Sequence, residues 1–298
     1  MKIKKITLEV IKPLLPRRRG DSHKGDYGRV LVVAGSRGMT GAAILTARAA
    51  LKAGAGLVTV ACPETERPVA ACALPESMTF GAACARGAFS VKAAAQLAAL
   101  AAEKNFDVVL IGPGIGSSPA ARAFVLKLLK TLRLPAVIDA DALNALAAGP
   151  RPFKIAASPF IITPHPGEAG RLLGKKIADR PAAAARLAAL TGGVAVLKGQ
   201  GTLVCGGKII LKNTTGGPAL AKGGSGDVLA GLCAGFLAQA GRARGFNPGT
   251  ALSSAALAVH LHGLCGDLAA KKFTERCVLA GELLDFLPAA IRSVRHGA

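Results

Sequence analysis

The stretch NTTGGPALAKGGSGDVLAGLCAGFLAQ, residues 213–239, decides the fold. Its second half predicts a helix, because apolar residues recur there at the helical spacing of three to four. Glycines lie just before this helix, and they lack a Cβ. Consecutive backbone N–H groups can therefore point at one anion, at the positive end of the helix dipole. We expect an anion hole formed by Gly223, Gly224, Ser225 and Gly226.

Asp227 follows this anion hole directly, in the first turn of the helix. A lone aspartate at such a position is often a helix cap. Beside an anion nest, a carboxylate can also take a proton from a hydroxyl group while the nest holds a phosphate. The pair favours phosphoryl transfer. No GxxxxGK(S/T) loop occurs, and Pro113 breaks the dinucleotide fingerprint in GPGIG.

Outward from this stretch, short β-branched runs alternate with helical patterns. The runs are 29–35, 56–62, 106–112, 136–139, 160–164 and 194–199. The helical patterns are 41–53, 91–102, 120–130, 142–148, 182–190, 228–240, 250–270 and 279–288. Apolar strands separated by helices predict a mostly parallel sheet covered on both faces. Residues 202–211 predict a β-hairpin at the sheet edge.

These elements predict an α/β fold, a three-layer α/β/α sandwich. We expect a basic arm over residues 1–21, with a solvated cluster at Arg17–Arg19, and a single domain over residues 22–298. Glycine-rich or polar loops follow the strands at 35–43, 112–118, 139–144 and 164–168. Ligands of open parallel sheets bind beyond the carboxyl ends of the strands, so these loops predict one large site.

Composition excludes several classes of protein. The 298 residues carry a net charge of +21, spread along the chain, with one Tyr and no Trp. The missing aromatics disfavour a nucleic-acid-binding protein, while a basic surface suits polyanionic small molecules. The longest stretch without charged residues, 245–266, contains polar residues, which predicts no membrane span and a cytoplasmic protein. Seven cysteines without a CxxC pair indicate reduced thiols.

The GGSGD segment, residues 223–227, resembles the anion-hole signature of ribokinase-like small-molecule kinases. A wider set of motifs resembles one branch, the ADP-dependent NAD(P)H-hydrate dehydratase family. In order, the motifs are SHKGDYGRVLVVAGS (22–36), MTGAA (39–43), IGPGIG (111–116), IDADALN (138–144), ITPHPGE (162–168), VLKGQGT (196–202) and NTTGGPALAKGGSGD (213–227). The resemblance runs from Ser22 to about Asp267.

This resemblance implies a ribokinase-like fold and a division of the site. The adenine nucleotide is expected at Lys198, Gly199, Gln200, Gly201, Thr202 and Gly226. The hydrated dinucleotide is expected at Ala42 or Ala43, Gly114, His165 and Asp227, with Asp227 as general base. In the family, ADP or ATP phosphorylates the ring hydroxyl of hydrated NADH or NADPH (NADHX or NADPHX), and loss of phosphate restores the double bond. Mg²⁺ is the expected metal, with Asp139, Asp141 and Glu168 as candidate ligands.

Several residues keep a structural alternative. His165 can be a rigid loop residue held by backbone groups, Lys198 a strand-end lysine, and Asp141 a helix cap. His260 and His262 lie in an Ala/Leu-rich helix, which favours structural roles. Gly217 stands where the family pattern suggests Asn, so one polar contact is expected to be missing.

The resemblance also bears on partners. Relatives often carry an epimerase domain ahead of this one, and here the matching begins by Ser22. We expect action on one epimer, with a functional link to a separate NAD(P)H-hydrate epimerase, and a homo-oligomer, with a tetramer suggested by the family. The alternative enzyme is a ribokinase-like kinase of a small thiazole or pyrimidine alcohol.

Overall fold

The computed structural model describes residues 3–15, 18–151, 153, 155 and 158–296. The strands are β1 (Ile3–Lys5), β2 (Arg29–Val33), β3 (Leu57–Pro63), β4 (Met78–Ala82), β5 (Cys84–Ala85), β6 (Ala88–Phe89), β7 (Val108–Ile111), β8 (Ala136–Ile138), β9 (Phe160–Ile162), β10 (Val194–Leu197), β11 (Leu203–Gly206) and β12 (Ile209–Lys212). The α-helices are α1 (Leu8–Ile11), α2 (Thr40–Ala53), α3 (Arg67–Ala73), α4 (Ala93–Lys104), α5 (Pro119–Thr131), α6 (Ala140–Ala147), α7 (Pro166–Leu173), α8 (Arg180–Thr191), α9 (Ser225–Arg244), α10 (Pro248–Cys277) and α11 (Leu283–His296).

Ten strands form one sheet in the order β1-β12-β11-β10-β9-β8-β7-β2-β3-β4. Strand β11 runs antiparallel to β10 and β12, and the other neighbouring pairs are parallel. Side chains alternate between the faces, so Val30 and Val32 lie in one core while Leu31 and Val33 lie in the other. Helices α1–α3 and α9–α11 cover the first face, and α4–α8 cover the second. The predicted three-layer sandwich is confirmed.

Some elements were not predicted. Strand β1 pairs with β12 in parallel and is the outermost strand, so the predicted hairpin β11–β12 lies one strand in from the edge. Strand β4 forms the opposite edge, β5 and β6 form a small separate pair, and α7 begins inside the ITPHPGE motif. Helix α10 extends to Cys277 across a kink at Thr274, and α11 begins at Leu283 rather than at residue 279.

The described part of residues 1–21 packs against the domain. Ile6 and Ile11 are buried, and the exposed Arg18 guanidinium lies 3.7 Å from the Tyr27 ring centroid. Arg18 Nη2 also donates a 2.6 Å hydrogen bond to the Gly54 carbonyl, which ties this segment to the end of α2. Arg17 lies outside the described residues. The division into an arm of 1–21 and a domain of 22–298 stays a prediction.

Helices α2 and α9 pack backbone against backbone. A Cβ added at Gly235 would lie 2.6 Å from the Ala50 carbonyl oxygen, and one at Gly231 would overlap the Thr46 carbonyl. Because real Cβ atoms do not approach so closely, only glycine fits at these two positions. The contact fixes α9, and with it the glycines at its N-terminus, against the sheet.

Among the described residues, no helix is long and apolar enough to cross a membrane. The cysteines are free thiols, and Cys62, Cys205, Cys233 and Cys265 are buried. These four thiols lie in the core, whereas Cys72 and Cys277 are exposed and Cys84 is partly exposed.

Candidate active site

The predicted loops meet at one edge of the sheet. Gly35 N donates to the Pro113 carbonyl at 2.8 Å, which joins the loop after β2 to the loop after β7. Lys198 N donates to the Pro164 carbonyl at 2.9 Å, which joins the end of β10 to the loop after β9. Gly116 N donates to Asp141 Oδ2 at 2.8 Å and adds the loop after β8. The carboxyl ends of the parallel strands therefore build one rim, as predicted.

Lys198 is the cation at the centre of this rim. Its Nζ lies 2.8 Å from Asp139 Oδ1 and 3.8 Å from Glu168 Oε2. The same Nζ lies within 3.4 Å of where a Cβ at Gly226 would be. Burial alone would lower the pKa of Lys198, but the charges of Asp139 and Glu168 outweigh it and raise that pKa. Lys198 is therefore charged and lies against the anion-hole glycines rather than at a free strand end.

Asp227 has an unusually basic carboxylate. Burial and the charge of Asp139 raise its pKa from 3.8 to about 7, against the opposing effect of Lys198. Helix α9 has no side-chain cap hydrogen bond at its N-terminus, where Gly224 is the capping residue. Within the described part of the chain, no hydrogen bond to the Asp227 side chain is found. The cap alternative for Asp227 is therefore wrong, and the carboxylate is free to accept a proton near neutral pH.

The anion hole is open towards the rim. Gly224 has φ +87, a conformation that favours glycine, and a Cβ at Gly223 would have nothing within 4 Å. Ser225, the first residue of α9, is buried and its Oγ lies 3.2 Å from His262 Nε2. Helix α9 is 20 residues long, so its dipole adds positive potential at this end. Burial lowers the pKa of His262 to about 4, so this ring is neutral.

His165 occupies the N-terminus of α7. Its Nδ1 accepts hydrogen bonds from Gly167 N at 3.0 Å and Glu168 N at 3.4 Å, while His165 N donates to Glu168 Oε2 at 2.8 Å. The pattern is a reciprocal capping box. Burial and Lys198 lower the pKa of His165, so its neutral ring carries the proton on Nε2. The predicted structural alternative is therefore present, and half of the side chain stays exposed on the rim.

The candidate metal ligands have protein partners. Asp139 is paired with Lys198, and Asp141 accepts hydrogen bonds from Gly116 N and, at 3.4 Å, from Asn144 Nδ2. Asp141 lies inside the first turn of α6, where Asp139 is the N-cap residue, so the cap alternative for Asp141 is wrong. Burial raises the pKa of Glu168 to about 7. Among the described residues, no three His, Cys, Asp or Glu side chains form a ready metal cage.

These oxygen donors nevertheless fit one kind of metal. Mg²⁺ prefers carboxylate oxygens and usually arrives with phosphate oxygens and water as its other ligands. Asp139 and Glu168 both lie near Lys198 Nζ, which itself lies next to Gly226 of the anion hole. A metal ion that shares its coordination between protein carboxylates and a phosphate in the anion hole requires carboxylates in this position. They suit Mg²⁺ carried by a nucleotide and do not suit a metal held by protein alone.

Residues 198–202 form a loop whose main-chain carbonyls accept hydrogen bonds from one arginine. Arg180 Nη2 donates to the Leu197 carbonyl at 3.3 Å and the Lys198 carbonyl at 3.2 Å, and Arg180 Nη1 donates to the Gln200 carbonyl. Gly199 has φ +125, and Thr202 Oγ1 donates to its carbonyl at 2.8 Å. Sequence reasoning missed Arg180, because its partners are main-chain carbonyls brought together only by the fold.

The two alanines predicted to contact substrate differ in access. Ala43 is buried, and its Cβ lies 3.2 Å from where a Cβ at Gly35 would be. Ala42 is partly exposed and lies beside Gly114, where a Cβ would approach Ala42 Cβ to 3.0 Å. Of the two alternatives, only Ala42 presents its side chain at the rim, with the bare backbone of Gly114 next to it.

Comparison with known proteins identifies the family. The family model described as NAD(P)H-hydrate dehydratase matches residues 30–289. The ADP-dependent (S)-NAD(P)H-hydrate dehydratase of Listeria monocytogenes is 36% identical over 97% of this chain and 97% of its own length. The bifunctional NAD(P)H-hydrate repair enzyme Nnr of Moorella thermoacetica is 46% identical over 95% of this chain. The chain spans about half of that relative, 52% of its length.

A solved structure agrees with both the sequence and the fold. The ADP/ATP-dependent NAD(P)H-hydrate dehydratase of Bacillus subtilis, co-crystallised with ATP and Mg²⁺, is 32% identical. It superposes with a TM-score of 0.81 over 99% of each chain. A ribokinase-like superfamily protein of Enterococcus faecalis, 29% identical, superposes with a TM-score of 0.81 over 98% of this chain and 96% of its own, which confirms the predicted ribokinase-like fold. This chain belongs to the NAD(P)H-hydrate dehydratase family.

Proposed function

We propose that this chain uses ADP or ATP to dehydrate hydrated NADH and NADPH back to the intact coenzymes. The observation that carries the proposal is Asp227, a carboxylate with a pKa of about 7 next to a glycine anion hole at the start of α9. A base of that strength is half deprotonated near neutral pH and can still accept a proton. The Listeria and Bacillus relatives carry the same activity in their names.

In the proposed reaction, Asp227 takes the proton of the ring hydroxyl while the hydroxyl oxygen attacks the terminal phosphorus of the nucleotide. The phosphoryl group is transferred to that oxygen as its bond to the bridging oxygen breaks, and AMP leaves from ADP, or ADP from ATP. The N–H groups of Gly223–Gly226 and Lys198 stabilise the charge of the transferred group. The ring nitrogen then donates its lone pair, and phosphate leaves with the C–O bonding electrons. A proton lost from the neighbouring ring carbon restores the double bond. Mg²⁺ would be held with the nucleotide by Asp139 and Glu168 and would neutralise phosphate charge.

The remaining residues of the site serve binding. Loop 198–202 is proposed to hold the adenine nucleotide, with Arg180 fixing its carbonyls. Ala42, Gly114 and the exposed half of His165 are proposed to contact the hydrated dinucleotide. A functional link to a separate NAD(P)H-hydrate epimerase is proposed as well, and relatives named bifunctional NAD(P)H-hydrate repair enzymes support it. The tetramer stays a prediction.

The test incubates the protein with hydrated NADPH and either ADP or ATP and follows two quantities together. Recovery of the reduced-nicotinamide absorbance with release of inorganic phosphate is the expected result. Phosphate that stays on the organic product would instead indicate a small-alcohol kinase. A folded protein that shows no absorbance recovery with either nucleotide would overturn the proposal.

A further inference from the structure

A second cavity lies at the far end of α9 from the anion hole. It has a volume of about 920 Å³ and is lined by the second half of α9, the end of α2, parts of α10 and α11, and residues of the segments 14–15 and 18–27. From Asp227 to Arg242 the helix rises about 22 Å, so this cavity is separate from the candidate active site. Its volume falls in the range of sites that bind small molecules. Nothing in the proposed reaction uses it.

The rim of this cavity is strongly cationic. Its basic residues are Arg18, Arg19, Lys52, Arg242, Arg244 and Arg295, and the acidic residue among its lining is Asp26. The ends of two helices lie here, and their exposed carbonyls would repel an anion. At the end of α2, two of these carbonyls are already covered, because Arg18 Nη2 donates to Gly54 O and Gln239 Nε2 donates to Ala53 O at 2.8 Å. With six basic side chains against one acidic side chain, the net charge of the lining is positive.

The floor of the cavity is apolar, with one exception. Leu257 and Phe236 are buried there, and Leu15 and Ile291 lie beside them. The exception is Ser254, which is 2% exposed and whose Oγ has no hydrogen-bond partner among the described residues. A buried hydroxyl without a partner costs free energy, so such groups are rare unless something else satisfies them. Ser254 is one of the residues that line the cavity.

We propose that this cavity is a second ligand site for a small organic phosphate with an apolar body. The phosphate group binds the rim cations, since arginine guanidinium groups suit phosphate oxygens. The apolar body lies on Leu257 and Phe236, and a polar atom of the ligand accepts the hydrogen bond of Ser254. Charge alone would serve any anion, and the apolar floor selects among them.

The chain carries its own reporter for this site. Tyr27 is its one tyrosine, no tryptophan is present, and Tyr27 lines the cavity. Intrinsic fluorescence therefore reports on this cavity and not on the candidate active site. The probe is monomeric octyl phosphate, with octanol and inorganic phosphate as matched partial ligands. We expect saturable change in tyrosine emission with octyl phosphate, and binding at least about tenfold weaker with either partial ligand.

Two variants test the lining residues. Lys52→Gln combined with Arg295→Gln removes two rim cations for which the described residues provide no ion pair. This double variant should weaken octyl phosphate binding at least about tenfold. The matched control is Arg122→Gln combined with Lys127→Gln on α5, two exposed cations on the opposite face of the sheet. The control should bind as the unchanged protein does.

Ser254→Ala provides an independent test. It should weaken binding about threefold to tenfold and leave the thermal stability of the free protein unchanged or higher, because the hydroxyl has no partner there. A purely structural serine would show the reverse. An unchanged tyrosine emission up to millimolar octyl phosphate overturns the proposal. Equal affinity for inorganic phosphate, or equal binding by the double variant and its control, does so as well.

Discussion

Replacing Asp227 with Asn should raise the stability of the protein at alkaline pH and lower its activity. The shift of its pKa from 3.8 to about 7 means that the folded state disfavours the ionised carboxylate by roughly 3 pKa units. At 1.36 kcal/mol per unit, this is about 4 kcal/mol of stability lost once the group ionises. An amide of the same shape carries no such cost. Asp227→Asn should therefore be more stable than the unchanged protein at alkaline pH.

The sign of the pH dependence follows from the direction of the shift. Because the folded pKa is raised, the unchanged protein has its full stability below the unfolded pKa of 3.8 and loses it as pH rises to about 7. The difference in free energy of unfolding between Asp227→Asn and the unchanged protein should grow by up to about 3 kcal/mol between about pH 4.5 and about pH 8. Denaturant unfolding at the two pH values measures it.

Activity should change the other way. Loss of a general base typically lowers the rate by about 10²–10⁴-fold, so kcat should fall by that factor while the nucleotide still binds. In the unchanged enzyme, kcat/KM should rise with pH around a midpoint near 7. The control is Asp285→Asn, which changes an exposed aspartate in the first turn of α11 and should alter neither property. A variant at Asp227 that keeps more than about a tenth of kcat, or that shows no pH-dependent gain in stability, would refute the reasoning.

Three further changes test the rim and the core. Gly199→Val should raise the nucleotide KM, because Gly199 has φ +125 and a Cβ there would lie 3.1 Å from Arg180 Nη2. Its control is Gly192→Val, at φ +79 with nothing within 4 Å of an added Cβ, which should lower Tm by a similar amount and leave the nucleotide KM unchanged. Lys198→Met should lower stability by about 3–5 kcal/mol at neutral pH and by less in acid, measured by denaturant unfolding, because buried carboxylates lose their cation. Gly235→Ala should lower Tm through its contact with α2, while Gly41→Ala, helical and with nothing within 4 Å, should raise it by calorimetry.

The sandwich was predictable because its central strands are plain in the sequence. Residues 30–33 and 108–111 are unbroken apolar runs, and both are buried strands of the sheet. The edges lack that pattern. Strand β1 reads IKK with all three residues exposed, and β4 reads MTFGA with only its last residue buried. An edge strand buries little, so its sequence carries little of the hydrophobic signal on which the prediction rests.

Helix α7 was missed for a different reason. It is eight residues long and begins with His165 as its N-cap, where Ser, Thr, Asp or Asn is the usual signal. The reciprocal partner, Glu168, was visible three residues later but was interpreted as a metal candidate. A capping box with histidine satisfies the same two backbone groups, so one pattern supports both a structural and a ligand-binding interpretation.

Convergence of the site residues could be predicted, but their pairing could not. Parallel strands place Asp139, Glu168 and Lys198 at one rim, and the structure brings them there. Which acid takes the lysine depends on distances set by the twist of the sheet and on the depth of each side chain. Asp139 lies 2.8 Å from the ammonium and is 1% exposed, so it forms the pair.

This pairing explains why Asp227 can act as a base. Lys198 is committed to Asp139, so it stabilises the ionised forms of Glu168 and Asp227 only in part. Burial then dominates at both of these acids and raises each pKa to about 7. The Glu168 carboxylate accepts a hydrogen bond from His165 N at the N-terminus of α7, whereas the Asp227 carboxylate makes no such bond among the described residues. Of the two acids with raised pKa, Asp227 is therefore the one free to accept a proton beside the anion hole.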